Sequence, residues 1–209
     1  MTGRIIHTDA DVAEGAAWLA AADPALGRAL EAAGPLPLRR RADGFAALLN
    51  AIVGQQVSTA SAAAIWARIE AVGLTAPAPV LAAGEDGLRA VGLSRQKIAY
   101  ATALAEAGID YAALRKVPDA EVIQTLTAVK GIGIWTAEIY AMFSLGRADV
   151  FAPGDLALQE AARMIYNLPE RPKERALREM AQAWSPWRAV AARLFFTYYR
   201  VAKGREGIT

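Results

Sequence analysis

The chain has 209 residues, a length that suits one compact domain and is large enough to bury a sizeable core. Apolar residues make up 55% of it, and 49 Ala stand against 13 Ile and 12 Val, which favours helices and argues against an all-β fold. Cys is absent and His7 is the only His, which excludes a disulfide scaffold, a thiolate nucleophile, a Cys-ligated zinc site, an iron–sulfur cluster and an imidazole-based triad. Any chemistry must therefore use carboxylates, hydroxyls, amides, Lys or Arg.

Charge is distributed unevenly along the chain. The net charge is +2, but residues 163–205 carry ten Lys or Arg against three Glu, a local net charge of +7, while residues 1–162 sum to −4. A basic C-terminal region is a candidate phosphate-facing surface, and the alternative is a solvated helix face with i,i+4 ion pairs. No stretch is long and apolar enough to span a membrane, and the N-terminal residues are too acidic for a signal peptide, so we expect a soluble, cytoplasmic protein.

Helical patterns follow one another along the chain, without a convincing strand pair or a solenoid repeat. Two helices are predicted over 9–22 and 24–33, and a Pro- and Arg-rich hinge follows over 34–44. The apolar run after the hinge predicts two helices that meet near Gly54-Gln55-Gln56, with Ser58 as the cap of the second. Further helices are predicted around Leu81, over 87–92, 95–108 and 110–116, from Pro118 onward, and over 135–145, 155–166, 172–183 and 186–201, which indicates an all-α fold.

The most informative stretch runs from residue 126 to residue 158 and has the sequence LTAVKGIGIWTAEIYAMFSLGRADVFAPGDLAL. Within it, Gly131-Ile132-Gly133 lies between two helical patterns and predicts a tight turn that joins two helices. The helix N-terminus after such a turn offers unpaired amides and a positive dipole end, which bind phosphate, and Lys130 adds a cation beside it. The alternative is that these glycines end a helix for local reasons only.

This stretch resembles the helix-hairpin-helix, Gly/Pro-rich-loop and aspartate signature of base-excision DNA glycosylases. The hairpin is VKGIGIWTAE, the loop is DVFAPGD, and the aspartate is Asp155, 22 residues after Gly133. The resemblance continues upstream through AIVGQQVSTASAAAI and LSRQKIAYATALA and downstream through SPWRAVAARLFFTYYR, so that it covers about residues 44–201. Within the superfamily, the chain is most similar to the 3-methyladenine DNA glycosylase II group, in a compact form without the additional N-terminal domain of the longer members.

The resemblance implies an all-α fold of two helical lobes with the active-site cleft between them. A helical lobe would span about 44–117 and the helix-hairpin-helix lobe about 118–209, with the N-terminal helices 9–33 packed on the latter. The implied activity is monofunctional hydrolysis of the N-glycosidic bond of alkylated purines, such as 3-methyladenine and 7-methylguanine, in duplex DNA. Base flipping would precede hydrolysis and an abasic site would remain. We further expect a monomer, associated with the bacterial nucleoid through DNA, that requires no cofactor.

Two other functions remain open. A non-catalytic helix-hairpin-helix scaffold would grip the DNA backbone without any need for Asp155. A glycosylase for other damaged bases would use the same fold, but those branches usually carry a Schiff-base Lys or an iron–sulfur cluster, and this chain has neither at the matching positions.

Asp155 is the candidate catalytic residue. Hydrolysis of an N-glycosidic bond passes through a sugar cation, and a carboxylate aimed at the sugar stabilises that charge and orients or deprotonates the attacking water. An alkylated purine already carries positive charge and departs neutral, so one acidic residue suffices. The alternative is a helix N-cap, since Asp155 follows Pro153-Gly154 and precedes a helical pattern.

Three residues are candidates for the base pocket. Trp135 stands where lyase-type relatives place the Schiff-base Lys, and its ring would stack on an electron-poor flipped base. Phe196 falls where the resemblance puts a second pocket aromatic, and Ile139 stands where a longer relative has a Tyr that sandwiches the base. For both Trp135 and Phe196, the alternative is a core aromatic.

Gln56 aligns with the wedge that fills the hole left by a flipped base. Its amide would slot between base pairs and hydrogen-bond the widowed partner base, and the alternative for Gln55-Gln56 is a pair of ordinary turn amides. The resemblance also implies a monovalent cation, Na⁺ or K⁺, held at the hairpin by the backbone carbonyls of Thr127, Val129 and Ile132.

Overall fold

The structure, a computed structural model, describes residues 3–204. This part of the chain contains twelve α-helices and one short 3-10 helix, and its β structure is limited to an isolated antiparallel bridge between Ile5 and Arg147. The predicted all-α fold class is therefore confirmed. The helices are α1 (Asp9–Ala22), α2 (Pro24–Ala33), α3 (Phe45–Gly54), α4 (Thr59–Ala71), α5 (Pro77–Ala90), α6 (Arg95–Glu106), α7 (Tyr111–Leu114), α8 (Asp119–Thr127), α9 (Ile134–Phe143), α10 (Leu156–Ile165), α11 (Glu174–Met180) and α12 (Arg188–Lys203), with the 3-10 helix Ala181–Trp184 before α12.

Helix ends follow local capping chemistry. Helices α1 and α2 cover the predicted ranges, and Asp23 closes the first and caps the second, where its Oδ1 accepts the N–H of Ala25 at 2.8 Å. Ser58 caps α4 as predicted, since its Oγ accepts the N–H of Ser61 at 3.2 Å. Helix α5 joins two predicted helical pieces across Gly84, whose φ of 59° and ψ of −165° interrupt the helix.

Two compact units share the chain. The described part of the first unit is Arg41–Tyr140, which holds α3 to α8 and most of α9. The described part of the second unit is formed by 3–40 together with 141–204, which hold α1, α2, the end of α9 and α10 to α12. No helix among residues 3–204 is long and apolar enough to cross a membrane.

In the first unit, α6 packs against α3 and α5, and α4 packs against α3. Helix α3 buries Leu48, Leu49 and Ile52, and α6 buries Ala101 and Leu104, all almost completely. Residues three and four apart share one helix face, so each helix turns one apolar stripe toward the other. The turn between α3 and α4 directly follows this core, and Tyr100 of α6 lies against Gly131 in the turn between α8 and α9.

In the second unit, α1, α2 and α10 pack on α12. The rings of Phe151, Trp184 and Phe195 form a cluster with centroids 4.8 to 6.0 Å apart. Arg193 of α12 is fully buried and donates from Nε and Nη2 to the carbonyl of Leu38 at 3.0 and 2.9 Å. Burial lowers the pKa of Arg193 to about 10. The guanidinium thereby anchors the predicted hinge to α12.

Candidate active site and nucleic-acid interface

The turn between α8 and α9 is built around Lys130 and Gly131. The N–H of Ile132 donates to the carbonyl of Val129 at 3.0 Å, which closes a four-residue turn with Lys130 and Gly131 at its centre. Gly131 has a φ of +97°, a conformation that side chains rarely adopt, and a Cβ there would overlap the ring of Tyr100. The sequence requires glycine at this position for both reasons.

The same turn leaves backbone donors at the start of α9. The N–H groups of Gly131 and Gly133 have no acceptor within residues 3–204, and Gly133 is exposed at the helix N-terminus. The N–H of Ile132 is used inside the turn, so it offers no donor while the turn keeps this shape. Lys130 is exposed beside these amides. Two unpaired amides, a helix dipole and a cation together form a site suited to a phosphate.

The predicted cation ligands fit a monovalent ion. Thr127, Val129 and Ile132 would supply backbone carbonyl oxygens, which are the neutral oxygen donors that hard cations accept. The carbonyl of Val129 accepts one hydrogen bond and keeps a second lone pair. The hydroxyl of Thr127 donates to the carbonyl of Ile123 at 2.8 Å and so lies back along α8.

The two glutamines after α3 have different surroundings. Gln55 is half-buried, and its Nε2 donates to the carbonyl of Gly131 at 3.0 Å. Gln56 is exposed and has a φ of +55°, which is uncommon for a residue with a side chain and is often found at functional positions. Val57, also exposed, follows it. Of the two glutamines, Gln56 is therefore the one with an exposed side chain that is available to a partner.

Trp135 lies in the first turn of α9, directly after the amides of the hairpin. Its side chain is 45% exposed, which is unusual for so large an aromatic residue and does not fit the alternative of a core tryptophan. Ile139 lies four residues later on the same helix face and is half-buried. In the first unit, α9 thus presents an aromatic ring and an aliphatic side chain next to each other.

Asp155, in the second unit, is the N-cap of α10. Its Oδ1 accepts the N–H of Ala157 at 2.8 Å and the N–H of Leu158 at 3.3 Å, and the side chain is only half-buried. The capping alternative is therefore real, but it is compatible with catalysis, because the two amides fix the rotamer of the carboxylate. Leu156, next to it, is 61% exposed.

The loop that leads into Asp155 is held from two sides. Gln159 of α10 is buried, and its Nε2 donates to the carbonyl of Pro153 at 2.8 Å. At the other end of the loop, Arg188 donates from Nε and Nη2 to both oxygens of Asp149 at 2.7 and 2.9 Å. Sequence reasoning missed both contacts. No local sequence pattern signals either contact, because each depends on how the loop closes in space.

Phe196 is enclosed by two neighbours in the second unit. Its ring centroid lies 6.2 Å from that of Phe143, and the guanidinium of Arg39 lies 5.3 Å from its centroid. These contacts occupy much of the half-buried ring and resemble the core alternative more than an open stacking face.

Most of the described basic residues of the C-terminal region form ion pairs with nearby carboxylates of the protein. Arg163 and Lys203 approach Glu160, Arg175 pairs with Glu179, Arg178 pairs with Glu174, and Arg188 pairs with Asp149. Arg171, Lys173 and Arg200 have no ion-pair partner within residues 3–204. The ion-paired alternative is therefore confirmed for α11, and only part of the +7 charge is available to phosphates.

Comparison with known proteins places the chain in a family. The family model described as "HhH-GPD superfamily base excision DNA repair protein" matches residues 49–186, which is more than half of the chain. The chain therefore belongs to this family, and the resemblance drawn from its sequence is confirmed.

Several proteins that are similar to this chain are named DNA-3-methyladenine glycosylases. DNA-3-methyladenine glycosylase 1 of Schizosaccharomyces pombe is 30% identical over 154 residues, which are 69% of this chain and 68% of the relative. A crystal structure of the DNA-3-methyladenine glycosidase of Bacillus halodurans is 34% identical, with a TM-score of 0.80 over 90% of both chains. The S. pombe 3-methyladenine DNA glycosylase in complex with abasic DNA is 27% identical, with a TM-score of 0.73 over 87% of this chain and 95% of that one. The chain spans between 31% and 68% of the length of the curated relatives it matches.

Proposed function

We propose that this protein is a monofunctional DNA glycosylase that hydrolyses the N-glycosidic bond of alkylated purines in duplex DNA during base excision repair. The observation that carries the proposal is the position of Asp155, a carboxylate whose rotamer is fixed by the helix cap and which follows Gly133 of the hairpin by 22 residues. This spacing matches the signature of the family, and several similar members of the family are named 3-methyladenine glycosylases. The related S. pombe enzyme has been seen with abasic DNA, the product that such a reaction leaves.

The chemistry needs one carboxylate. The bond between the sugar C1′ and the purine nitrogen breaks with its electron pair moving to the base, which neutralises the positive charge of the alkylated ring. Asp155 stabilises the sugar cation that forms, and water then adds to C1′ while its proton passes to the carboxylate. The base leaves as a neutral molecule, so the reaction needs no second acidic residue to protonate it.

The substrate base is held by stacking. Trp135 offers an exposed ring at the start of α9, and an electron-poor, positively charged purine stacks favourably on it. Ile139 adds an aliphatic surface one turn along the helix. Phe196, in the second unit, is covered by Phe143 and Arg39 and offers little open ring for stacking. A tryptophan in place of the Schiff-base Lys removes the amine that lyase-type relatives use for strand cleavage, so the product is an intact strand with an abasic site.

The DNA is held by the hairpin and opened by the wedge. The amides of Gly131 and Gly133 and the ammonium of Lys130 bind a backbone phosphate. Gln56 enters the base stack, fills the space of the flipped nucleotide and hydrogen-bonds the widowed base, which offsets part of the few kcal/mol that flipping costs.

A monovalent cation at the hairpin belongs to the same proposal. The carbonyls of Thr127, Val129 and Ile132 would hold it, and its chemistry there is a positive charge close to the bound phosphate. We also propose that the protein works as a monomer in the cytoplasm, associated with the nucleoid through DNA.

The decisive experiment compares the wild type with Asp155→Asn in single-turnover release of free base from methylated duplex DNA. Asn caps a helix as well as Asp does, so the fold and DNA affinity should persist while base release falls by orders of magnitude. Asp110→Asn is the matched control, because Asp110 caps α7 with the same Oδ1 contacts, to the N–H groups of Ala112 and Ala113.

Each outcome decides between the candidate functions. Methylated bases released by the wild type and by Asp110→Asn, with strand breaks only after alkali, support a monofunctional glycosylase. Full activity of Asp155→Asn contradicts the assignment of Asp155. Salt-sensitive DNA binding without base release from methylated, deaminated or oxidised DNA favours the scaffold function.

A further inference from the structure

The turn between α3 and α4 and the turn between α8 and α9 are joined by one side chain. Gln55 Nε2 donates to the carbonyl of Gly131 at 3.0 Å, although the two residues are 76 positions apart in the chain. One of these turns projects Gln56, and the other holds the unpaired amides of Gly131 and Gly133. The hydrogen bond therefore runs from the residue next to the proposed wedge to the centre of the proposed phosphate site.

One face of α6 supports both ends of this connection. Lys97 is 8% exposed, and its Nζ donates to the carbonyl of Val53 at 2.6 Å, next to the C-terminus of α3. Burial lowers the pKa of Lys97. Tyr100, three residues further on, lies against Gly131 where a Cβ would overlap its ring, and its hydroxyl is hydrogen-bonded to Nε2 of Gln96 at 2.6 Å. Helix α6 therefore contacts the end of α3 through Lys97 and the turn between α8 and α9 through Tyr100.

These contacts separate the tasks of two adjacent glutamines. The amide of Gln55 is committed to the protein, whereas Gln56 is exposed and its backbone has the unusual φ of +55°. A residue held in this conformation needs its surroundings to maintain it, and the bond from Gln55 fixes the backbone directly before it.

We propose that Gln55 is a positioning residue, which sets the wedge Gln56 at a fixed distance from the backbone phosphate held by the hairpin. This inference rests on the proposed function, in which Gln56 opens the duplex. When the hairpin grips a phosphate, the carbonyl of Gly131 is placed relative to the DNA, and Gln55 transmits that placement to Gln56. Gln56 can then enter the base stack without a change in the conformation of its turn, because the turn is preorganised.

The test uses a lesion in two contexts, because a positioning residue for a wedge matters only where a base pair has to be opened. The substrates are 7-methylguanine paired with cytosine in a duplex and the same lesion in a single-nucleotide bulge. Gln55→Ala should lower single-turnover release from the paired lesion about fivefold to tenfold, the equivalent of one hydrogen bond, and change release from the bulge less than about twofold. Gln55→Met should behave similarly, because it keeps the length of the side chain, adds no charge and lacks the donor for Gly131.

Further variants separate coupling from simple loss of structure. In the Gln56→Ala background, Gln55→Ala should add little, since the residue it positions is already gone. Gln124→Ala is the control, because Gln124 is an exposed residue of α8 in the same unit. Thermal unfolding of each variant shows whether the fold is retained.

The possible results distinguish this inference from the proposed function. Equal losses on paired and bulged lesions, no loss on the paired lesion, or additive effects of the two substitutions would overturn the positioning role of Gln55. If the wild type releases no base from either substrate, the proposed function fails. The positioning role of Gln55 is then tested with 2-aminopurine placed beside the lesion, whose fluorescence reports opening of the base stack. This fluorescence should rise when the wild type binds the DNA and should rise less with Gln55→Ala.

Discussion

Gln159 shows how one buried amide serves the candidate catalytic residue. Its side chain donates to the carbonyl of Pro153 at 2.8 Å, and its own N–H donates to the carbonyl of Asp155 at 3.0 Å. The chain from Pro153 to Asp155 is therefore tied to α10 at both ends. A carboxylate held in this way loses little freedom when the sugar cation forms.

Gln159→Leu should damage both stability and rate. The substitution preserves side-chain volume approximately but leaves the carbonyl of Pro153 buried without its donor, which costs about 1–3 kcal/mol of the free energy of unfolding. Urea unfolding measures that loss, and single-turnover base release should fall more than Asp110→Asn lowers it. Unchanged release in a destabilised Gln159→Leu protein would show that the loop keeps its shape without the bond.

The sequence singled out Asp155 as the candidate catalytic residue, but it did not predict the contacts that orient this side chain. The spacing between the hairpin and Asp155 is a local pattern of one chain segment, and it can be compared directly with a family signature. The bond from Gln159 and the pairing of Asp149 with Arg188 depend on how a loop closes in space. Gln55 illustrates the same limit, since its partner Gly131 lies 76 residues away.

The start of α1 carries a complete capping box. Thr8 Oγ accepts the N–H of Asp11 at 3.3 Å, and Asp11 Oδ2 accepts the N–H groups of His7 and Thr8 at 3.0 and 2.9 Å. These bonds, first that from the His7 N–H, hold the pKa of Asp11 at about 2, below its usual value of 3.8. The ionised carboxylate therefore stabilises the N-terminus of the helix.

This shift predicts an acid-dependent loss of stability. Because the pKa of Asp11 is lower in the folded than in the unfolded protein, its contribution is complete above about pH 4 and is lost as the pH falls toward about 2. Thermal unfolding should show the wild type more stable than Asp11→Asn at neutral pH, with a difference that shrinks over this range. A difference that stays constant down to about pH 2 would contradict the linkage.

Helix boundaries were predictable where a side chain caps the helix. Helices α1, α2 and α4 have Thr8, Asp23 and Ser58 as their N-cap residues, and each of these side chains accepts a backbone N–H. Helix α5 was less predictable, because Gly84 interrupts its geometry without ending it. A pattern of apolar residues predicts which face of a helix is buried, but it does not predict a local kink.

The whole chain has a net charge of +2, and few of its C-terminal cations are available to DNA. Arg193 is fully buried, and five others in that region lie within ion-pair distance of glutamates or of Asp149. Counting charges along the sequence overestimated this surface, because side-chain pairing on a helix face and burial appear only in the fold. The hairpin turn is therefore the main phosphate site that we expect.

Salt dependence of DNA binding tests that expectation. Each phosphate contact from a cation contributes about 0.9 to the slope of log affinity against log salt concentration. Lys130→Ala should reduce the slope by about that amount. Arg175→Ala is the matched control, because Arg175 is exposed but paired with Glu179, and it should leave the slope unchanged. Equal slopes for the wild type and Lys130→Ala would remove Lys130 from the interface.

The dual use of Asp155 as helix cap and candidate catalytic group has a genetic consequence. Asn satisfies the same two amides, so an Asp155→Asn allele pays no folding penalty and escapes the quality control that removes unstable variants. The Asp155→Asn protein would accumulate to normal levels in the cell and still bind damaged sites in DNA. Such an allele should interfere with repair by other enzymes, and cells carrying it should tolerate alkylation less well than cells in which the gene is deleted.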